Sequence, residues 1–370
     1  MRAIAINCRV AVRRLAACSV LVLLSHCAWA ATVTKCVHNV TELQNDLAAA
    51  SSPTNANDHV LELLEGVYLA PSGGFIFNQI TNHSLDIEGG FFSNIGSNGC
   101  DRQRLTATTT KLDGRGNQAI FTSSSSGVTS GNITFRYLTF QHAGGDVNAL
   151  EVVMRHNAGT LRVENTLFTH NQTTYGSVYL DVPFGKVYFI DNALVGNVNG
   201  NVSKTNDGST AAIYVGASPS VVAYINNNTI AGNTEPDGSP APFGFDLSGS
   251  AGFDLANNIV WDGNDCDVFA GSSTQGSPPP AVTFDRDDID HYCNVAPQTG
   301  SKTINKDPLF VDPAHDNYRL QRSSPAVDAG DNSPPGGIRA IDVEGTPRVV
   351  GVVDLGAYEL DTIFADGFEL

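Results

Sequence analysis

The sequence predicts an all-β fold: a right-handed parallel β-helix with a short N-terminal capping helix and an irregular C-terminal cap. Three observations carry this: a repeated strand layout, a second strand column ahead of it, and corners rich in Asn and Gly. The layout recurs as Leu161, Val163, Asn165 and Leu167; as Tyr188, Ile190, Asn192 and Leu194; as Tyr224, Asn226, Asn228 and Ile230; and as Phe253, Leu255, Asn257 and Ile259. Every second residue is mostly apolar, which is the period of a strand. An Asn stands two places before the last aliphatic. The copies lie 27, 36 and 29 residues apart, and residues 133–140 form a degenerate earlier copy.

The second column comprises Ala149 to Val152, Ser177 to Leu180, Ala212 to Val215 and Phe245 to Leu247. Each repeat thus holds two or more short strands, and no single repeat can bury its apolar side alone. Stacked coils can, each pairing with the next at about 4.8 Å. Asn165, Asn192, Asn228 and Asn257 then form one ladder, bonding up and down the stack. An antiparallel sandwich or propeller would need hairpin turns at regular spacing, which the sequence lacks.

Ahead of the coils, residues 40–50 read as a helix, with Thr41 as N-cap and Leu43 and Leu47 on one face. It covers the open end of the solenoid. Strands begin near Val60, Leu61 and Leu63, and the last coils run through Val282, Phe284 and Ile289. The expected organisation is a leader over 1–30, an N-terminal cap over 31–58, the β-helix over 59–300, a Pro- and Gly-rich segment over 301–360 closing the far end, and a tail over 361–370.

The leader has Arg2, Arg9, Arg13 and Arg14, an apolar run over 15–24, and small residues at Ala28 and Ala30, with no acidic group. This is the pattern of a secretory signal cut after Ala30. Lipidation at Cys27, disfavoured by the bulk of His26, and an uncleaved anchor are the competing readings. No later stretch is apolar and long enough for a membrane helix. Location is therefore expected to be secreted or at a bacterial cell surface.

The chain carries 21 Lys+Arg against 38 Asp+Glu, a net charge of −17, which becomes −21 without the leader. This argues against nucleic acid, anionic lipid and unaided polyuronate binding. Charged residues are only 16%, below the usual ~25%, so the surface is neutral and polar. Of seven cysteines, Cys36, Cys100, Cys266 and Cys293 lie beyond the leader. An even number in an exported chain reads as disulfides. Locality favours Cys36–Cys100 and Cys266–Cys293, and the spacing fits no common zinc pattern.

Two stretches resemble a known family. Leu85, Ile87, Gly89, Gly90 and Phe91, then Cys100, Arg104 and Thr110 with Leu112, Asp113 and Gly114, are similar to the opening coils of bacterial right-handed β-helix proteins of the pectin-lyase-like fold. Asp307 to Pro313, Tyr318 to Leu320, Ser324 to Asp331, Asp342, Gly345 to Arg348 and Val353 to Glu359 resemble the choice-of-anchor Q domain, which ends β-helices on exported bacterial proteins. Residues 363–369 are similar to a short C-terminal tail of some proteobacterial exported proteins. The resemblance implies fold and extracellular or surface residence, not a reaction, because the fold hosts lyases, hydrolases, epimerases and adhesins.

Catalytic chemistry is hard to find. A polyuronate lyase needs a base plus cations to neutralise the substrate carboxylate, and Arg136, Arg155, Arg162, Lys186 and Lys204 cluster in no repeat register. The Gly-His-Gly and Arg-x-Lys motifs of polygalacturonases are absent. His142 and His170 share a corner position in adjacent coils, as polar corner residues in place of Asn or, alternatively, as a general base; His156 lies midway between. The leading expectation is thus a surface protein that binds extracellular polymers or acts in adhesion, monomeric and requiring no cofactor. The alternative is a polysaccharide-degrading lyase or glycoside hydrolase.

Two candidate sites follow. With Leu150, Val178, Ile213 and Leu247 inward, Glu151, Tyr179, Tyr214 and Ser248 face outward. Tyr179 and Tyr214, stacked about 4.8 Å apart, would form a flat patch for a neutral sugar, with Glu151, Asp181 and Asp246 accepting from its hydroxyls. An aromatic ladder that only stabilises strand pairing is the alternative. Asp285, Asp287, Asp288 and Asp290, with Asp262, Asp265 and Asp267 nearby, are the candidate ligands for Ca²⁺; the alternative is a solvated acidic edge.

Overall fold

A computed structural model describes residues 31–156, 158–200, 210–215, 222–241, 243–249, 252–262, 266–271 and 279–360. The leader over 1–30, the tail over 361–370, Asp265 and residues 272–278 of the loop between Cys266 and Cys293 lie outside the described residues.

Parallel strands dominate, and they stack into three long sheets. The first sheet runs from Ala31–Val37 through Asn57–Leu64, Leu85–Phe92, Ile133–Arg136, Thr160–Glu164, Lys186–Ile190, Val222–Asn226 and Gly252–Ala256 to Ala281–Asp285. The second runs from Gly66–Leu69 to Asp288–Ile289, and the third from Phe75–Gln79 to Tyr292–Cys293. The chain visits first, second and third sheet in that order, and each pass pairs with the one before it. Inward side chains form one continuous core, in which Phe140 and Phe168 stack at 5.0 Å and Phe121 meets Phe135 edge-on at 4.9 Å.

The helix Val40–Ala50 places Leu43, Leu47 and Ala50 in that core, across the end of the stack. Its N-cap is Asn39, not Thr41. The Asn39 side chain accepts from the Glu42 N–H, and Glu42 reaches back to the His38 N–H, a near relative of the capping box. The strand Ala31–Val37 precedes the helix and pairs with Asn57–Leu64, so the expected cap region contributes the outermost strand of the first sheet.

Register differs from the predicted layout by one residue in two copies. Leu161 pairs with Val187, then Ala223, then Phe253. Val187 and Phe189 point inward, and Tyr188 and Tyr224 point out. The Asn column therefore splits in two. Asn165, Asp191, Asn227 and Asn257 occupy a corner with φ of 47, 58, 53 and 60°, the left-handed region that Asn and Asp tolerate best among residues with a Cβ. The buried ladder is the next column: Asn192 donates its backbone and side-chain N–H to Asn228 Oδ1, Asn228 to Asn258, and Asn258 to Asp287. Each amide also donates to a backbone carbonyl of the coil before. A second ladder, Asn171, Asn197, Asn233 and Asp262, runs along the corner after the second sheet. Both end on an aspartate, an acceptor-only group that needs no partner in a further coil.

The segment over 301–360 does not plug the far end. Only its start extends the stack, where Ile304 N–H donates to Asp287 O. The rest folds back along the outside. Asp331 bonds Asn257, Pro335 and Gly337 accept from Asn226, Ile341 and Asp342 accept from Asn165, and Val343 O accepts from Ala107 N–H near the other end. The reason is apolar: Ala193, Val195, Ala231 and Ile259 face outward from the second sheet and are buried under Tyr318, Leu320, Ala326, Val343, Leu355 and Ala357. Arg348 fastens this strap. Among the described residues it is the largest fully buried side chain, and it sits 3.1 Å from Asp191 and 3.5 Å from Glu359. Burial pushes Asp191 up to about 7 and Glu359 to about 8, against the pull of the guanidinium.

Candidate functional site

Third-sheet pairing decides what the outward face presents. Leu150, Val178, Ile213 and Leu247 all point into the core, and Leu150 pairs with Val178 and Ile213 with Leu247. Between them, however, Val178 pairs with Ala211, so the register is displaced by two residues. Thr122, Glu151 and Tyr179 face outward in one row and Asp246 and Phe269 in its continuation, and the next row reads Ser124, Val153, Asp181, Tyr214, Ser248, Gly271. Tyr179 and Tyr214 are diagonal neighbours, not a direct stack. A 4.8 Å strand spacing and two rises of 3.3 Å put their Cβ atoms roughly 8 Å apart.

Asp181 is not a free acceptor. Arg155, exposed over 64% of its side chain, donates to Asp181 Oδ2 at 2.7 and 3.1 Å, while Asp181 itself is 6% exposed. This pair sits beside both tyrosines, and burial followed by the Asp181 charge raises the Tyr179 hydroxyl. Among the described residues Asp246 has no such partner. Its Oδ1 is buried without a hydrogen bond, and burial pushes the carboxyl up to about 6. Glu151 links this face to a groove of about 550 Å³ lined by Asn117, Gln118, Asp146, Asn148 and Tyr175.

Two directly paired tyrosines do exist, on the first sheet. Thr134, Arg162, Tyr188, Tyr224 and Asp254 form one outward row. Tyr188 and Tyr224 lie 5.1 Å apart, and the Arg162 guanidinium covers the other side of Tyr188 at 3.8 Å. Tyr224 is also closed off by the backbone at Gly336. The two rings are tilted at 34° and in contact with each other, with Arg162 and with the backbone at Gly336, so this row supports strand pairing. Arg136, Arg162 and Arg339 converge nearby on Glu164, a clustering of basic groups that no sequence register revealed.

The four candidate calcium ligands do not meet as one set. Asp287 caps the first Asn ladder, Asp288 Oδ1 accepts from Lys306 N–H, and Asp285 ends a first-sheet strand. Burial raises Asp287 and Asp288 to about 7. Among the described residues, Asp290 gathers instead with Asp267 and His291, their ligand atoms lying within 4.8 Å of one another. The expected cysteine partners are adjacent, Cys36 with Cys100 and Cys266 with Cys293, at Cα separations of 5.4 and 5.6 Å.

His142 and His170 occupy one left-handed corner column, φ 55 and 54°, with rings 6.0 Å apart. Each faces a carboxylate, Asp113 at 2.9 Å and Asp316 at 3.2 Å. His156 is buried against Gln79, and burial lowers its pKa. No protein-family model, curated protein or solved structure matches this chain.

Proposed function

We propose that this is an exported right-handed parallel β-helix protein, of the pectin-lyase-like fold with a choice-of-anchor Q type segment over 301–360, that binds neutral extracellular polysaccharide on the outer face of its third sheet. Right-handed winding is supported by the rule that connections between parallel strands of one sheet are right-handed in about 98% of cases. The observation that carries the binding reading is the diagonal placement of Tyr179 and Tyr214. It leaves their ring faces uncovered by each other, next to Glu151, Asp246 and the Arg155–Asp181 pair and beside a polar groove. Aromatic faces take the apolar side of a sugar ring, and carboxylates and amides take its hydroxyls. The net charge of −17 favours neutral over acidic glycans.

Affinity electrophoresis of the protein through a panel of neutral polysaccharides tests this. At least one polymer should retard the wild type, and Tyr179→Ser with Tyr214→Ser should abolish the retardation with little change in melting temperature. No retardation by any polymer, or equal retardation of the double variant, overturns the reading.

One observation favours a second reading, a polysaccharide-degrading enzyme. Asp246 has an unpartnered carboxyl held near 6, a property suited to a general acid. Reducing ends released by the wild type but not by Asp246→Asn would establish it.

A further inference from the structure

The strap over 301–360 leaves a cavity of about 430 Å³ where it meets the second sheet. Trp261 forms part of one wall, on the outward side of the strand Ile259–Trp261. Phe310 and Tyr318 also line it, their rings edge-to-face at 5.4 Å, and Leu309 and Pro313 add apolar surface. The polar groups that reach it are Asp262, Asp307 and Gln321, and among the described residues no Lys, Arg or His lines it.

Asp262 has a special place. It ends the second Asn ladder, where the three preceding members are all Asn. Its Oδ1 accepts the backbone and side-chain N–H of Asn233, a role that an Asn oxygen fills in every other coil of that ladder. The ladder therefore needs the oxygen and not the charge. The half-buried carboxyl of Asp262 faces a cavity that Asp307 also lines.

We propose that this cavity is a second binding site, which takes an amino sugar through its free, protonated amine. Aromatic walls attract a cationic group through their ring faces and also accept the apolar side of a pyranose. Two carboxylates in a lining with no basic residue among those described are best balanced by a ligand cation. A bare Ca²⁺ fits poorly, because it seeks six to eight oxygens and most of this lining is apolar. Gln321 and Asp307 supply hydrogen bonds for ring hydroxyls. This site deepens the carbohydrate reading and rests on it for the choice of a sugar over other amines. It lies on a different sheet from Tyr179 and Tyr214, so each can fail without the other.

Trp261 supplies the reporter. The chain has two tryptophans, and Trp29→Phe in the full chain leaves Trp261 alone. Its fluorescence is titrated with a glucosamine hexamer, an N-acetylglucosamine hexamer and a lysine-rich peptide. A saturable change with the glucosamine hexamer, at least roughly tenfold weaker for the N-acetylated hexamer, is expected. Asp262→Asn with Asp307→Asn should weaken glucosamine binding roughly tenfold or more while the melting temperature holds, since Asn preserves the ladder oxygen. Tyr179→Ser with Tyr214→Ser should leave the titration unchanged. Equal response to both hexamers, tighter binding of the peptide, or no saturable change with the glucosamine hexamer would each overturn the proposal.

Discussion

Replacing Asn228 by Ala tests the buried ladder at its middle. Asn228 is fully buried, and its Oδ1 accepts the backbone N–H of Asn192 at 3.0 Å and the side-chain N–H at 3.1 Å. Its Nδ2 donates to Phe189 O at 2.8 Å and Asn258 Oδ1 at 2.9 Å. Alanine strands two groups, the Asn192 backbone N–H and one side-chain N–H of Asn192; the Phe189 carbonyl keeps its place in the parallel ladder between Lys186–Ile190 and Val222–Asn226. Asn258 Oδ1 keeps its bond from the Asn228 backbone. A stranded buried group costs about 1–3 kcal/mol. A water entering the vacated space can satisfy one of the two, which leaves an expected loss of about 1–3 kcal/mol. Urea unfolding followed by circular dichroism measures it, as a lower midpoint at unchanged slope. The exposed Asn94→Ala serves as control and should change stability by less than about 0.5 kcal/mol. If Asn228→Ala costs no more than the control, the ladder does not hold the coils, and the argument from stranded groups fails.

Two further outcomes follow from the buried acids. Asp191, Asp262, Asp287 and Asp288 are raised to about 7, Asp246 and Asp267 to about 6 and Glu359 to about 8, all chiefly by burial. Each folded-state value lies above its unfolded one, so between these values the folded chain binds more protons, and stability falls as pH rises from about 4 to about 8. The melting temperature should therefore be higher at about pH 5 than at about pH 8; the reverse order would contradict the burial of these groups. Arg348→Met removes the cation between Asp191 and Glu359 and should cost about 3–5 kcal/mol at about pH 8. The loss should be smaller at about pH 5, where both acids are protonated, and a pH-independent loss would mean that Arg348 acts through packing alone.

The sequence by itself determined that the chain forms short parallel strands in stacked coils, which residues of the third-sheet column point inward, and how the four cysteines pair. Alternation and repetition suffice for these, because a coil must hide one face and bridges form within reach. Phase and register were decided only by the tertiary structure. Val187, Tyr188, Phe189 and Ile190 are all apolar, so alternation alone permits either phase, and the structure turns Tyr188 outward. Ala211 and Ile213 have the same parity, so a displacement of two residues moves no side chain across the sheet, yet it decides whether Tyr214 lies beside Tyr179 or diagonal to it. Adjacent asparagines such as Asn227 with Asn228 and Asn257 with Asn258 conceal a similar choice: one turns the corner in the left-handed region and the other bonds within the ladder. The course of 301–360 was the least legible. Its path follows an apolar outer surface on the second sheet and an aspartate, Asp191, waiting for Arg348, and both exist only once coils far apart in sequence have stacked side by side.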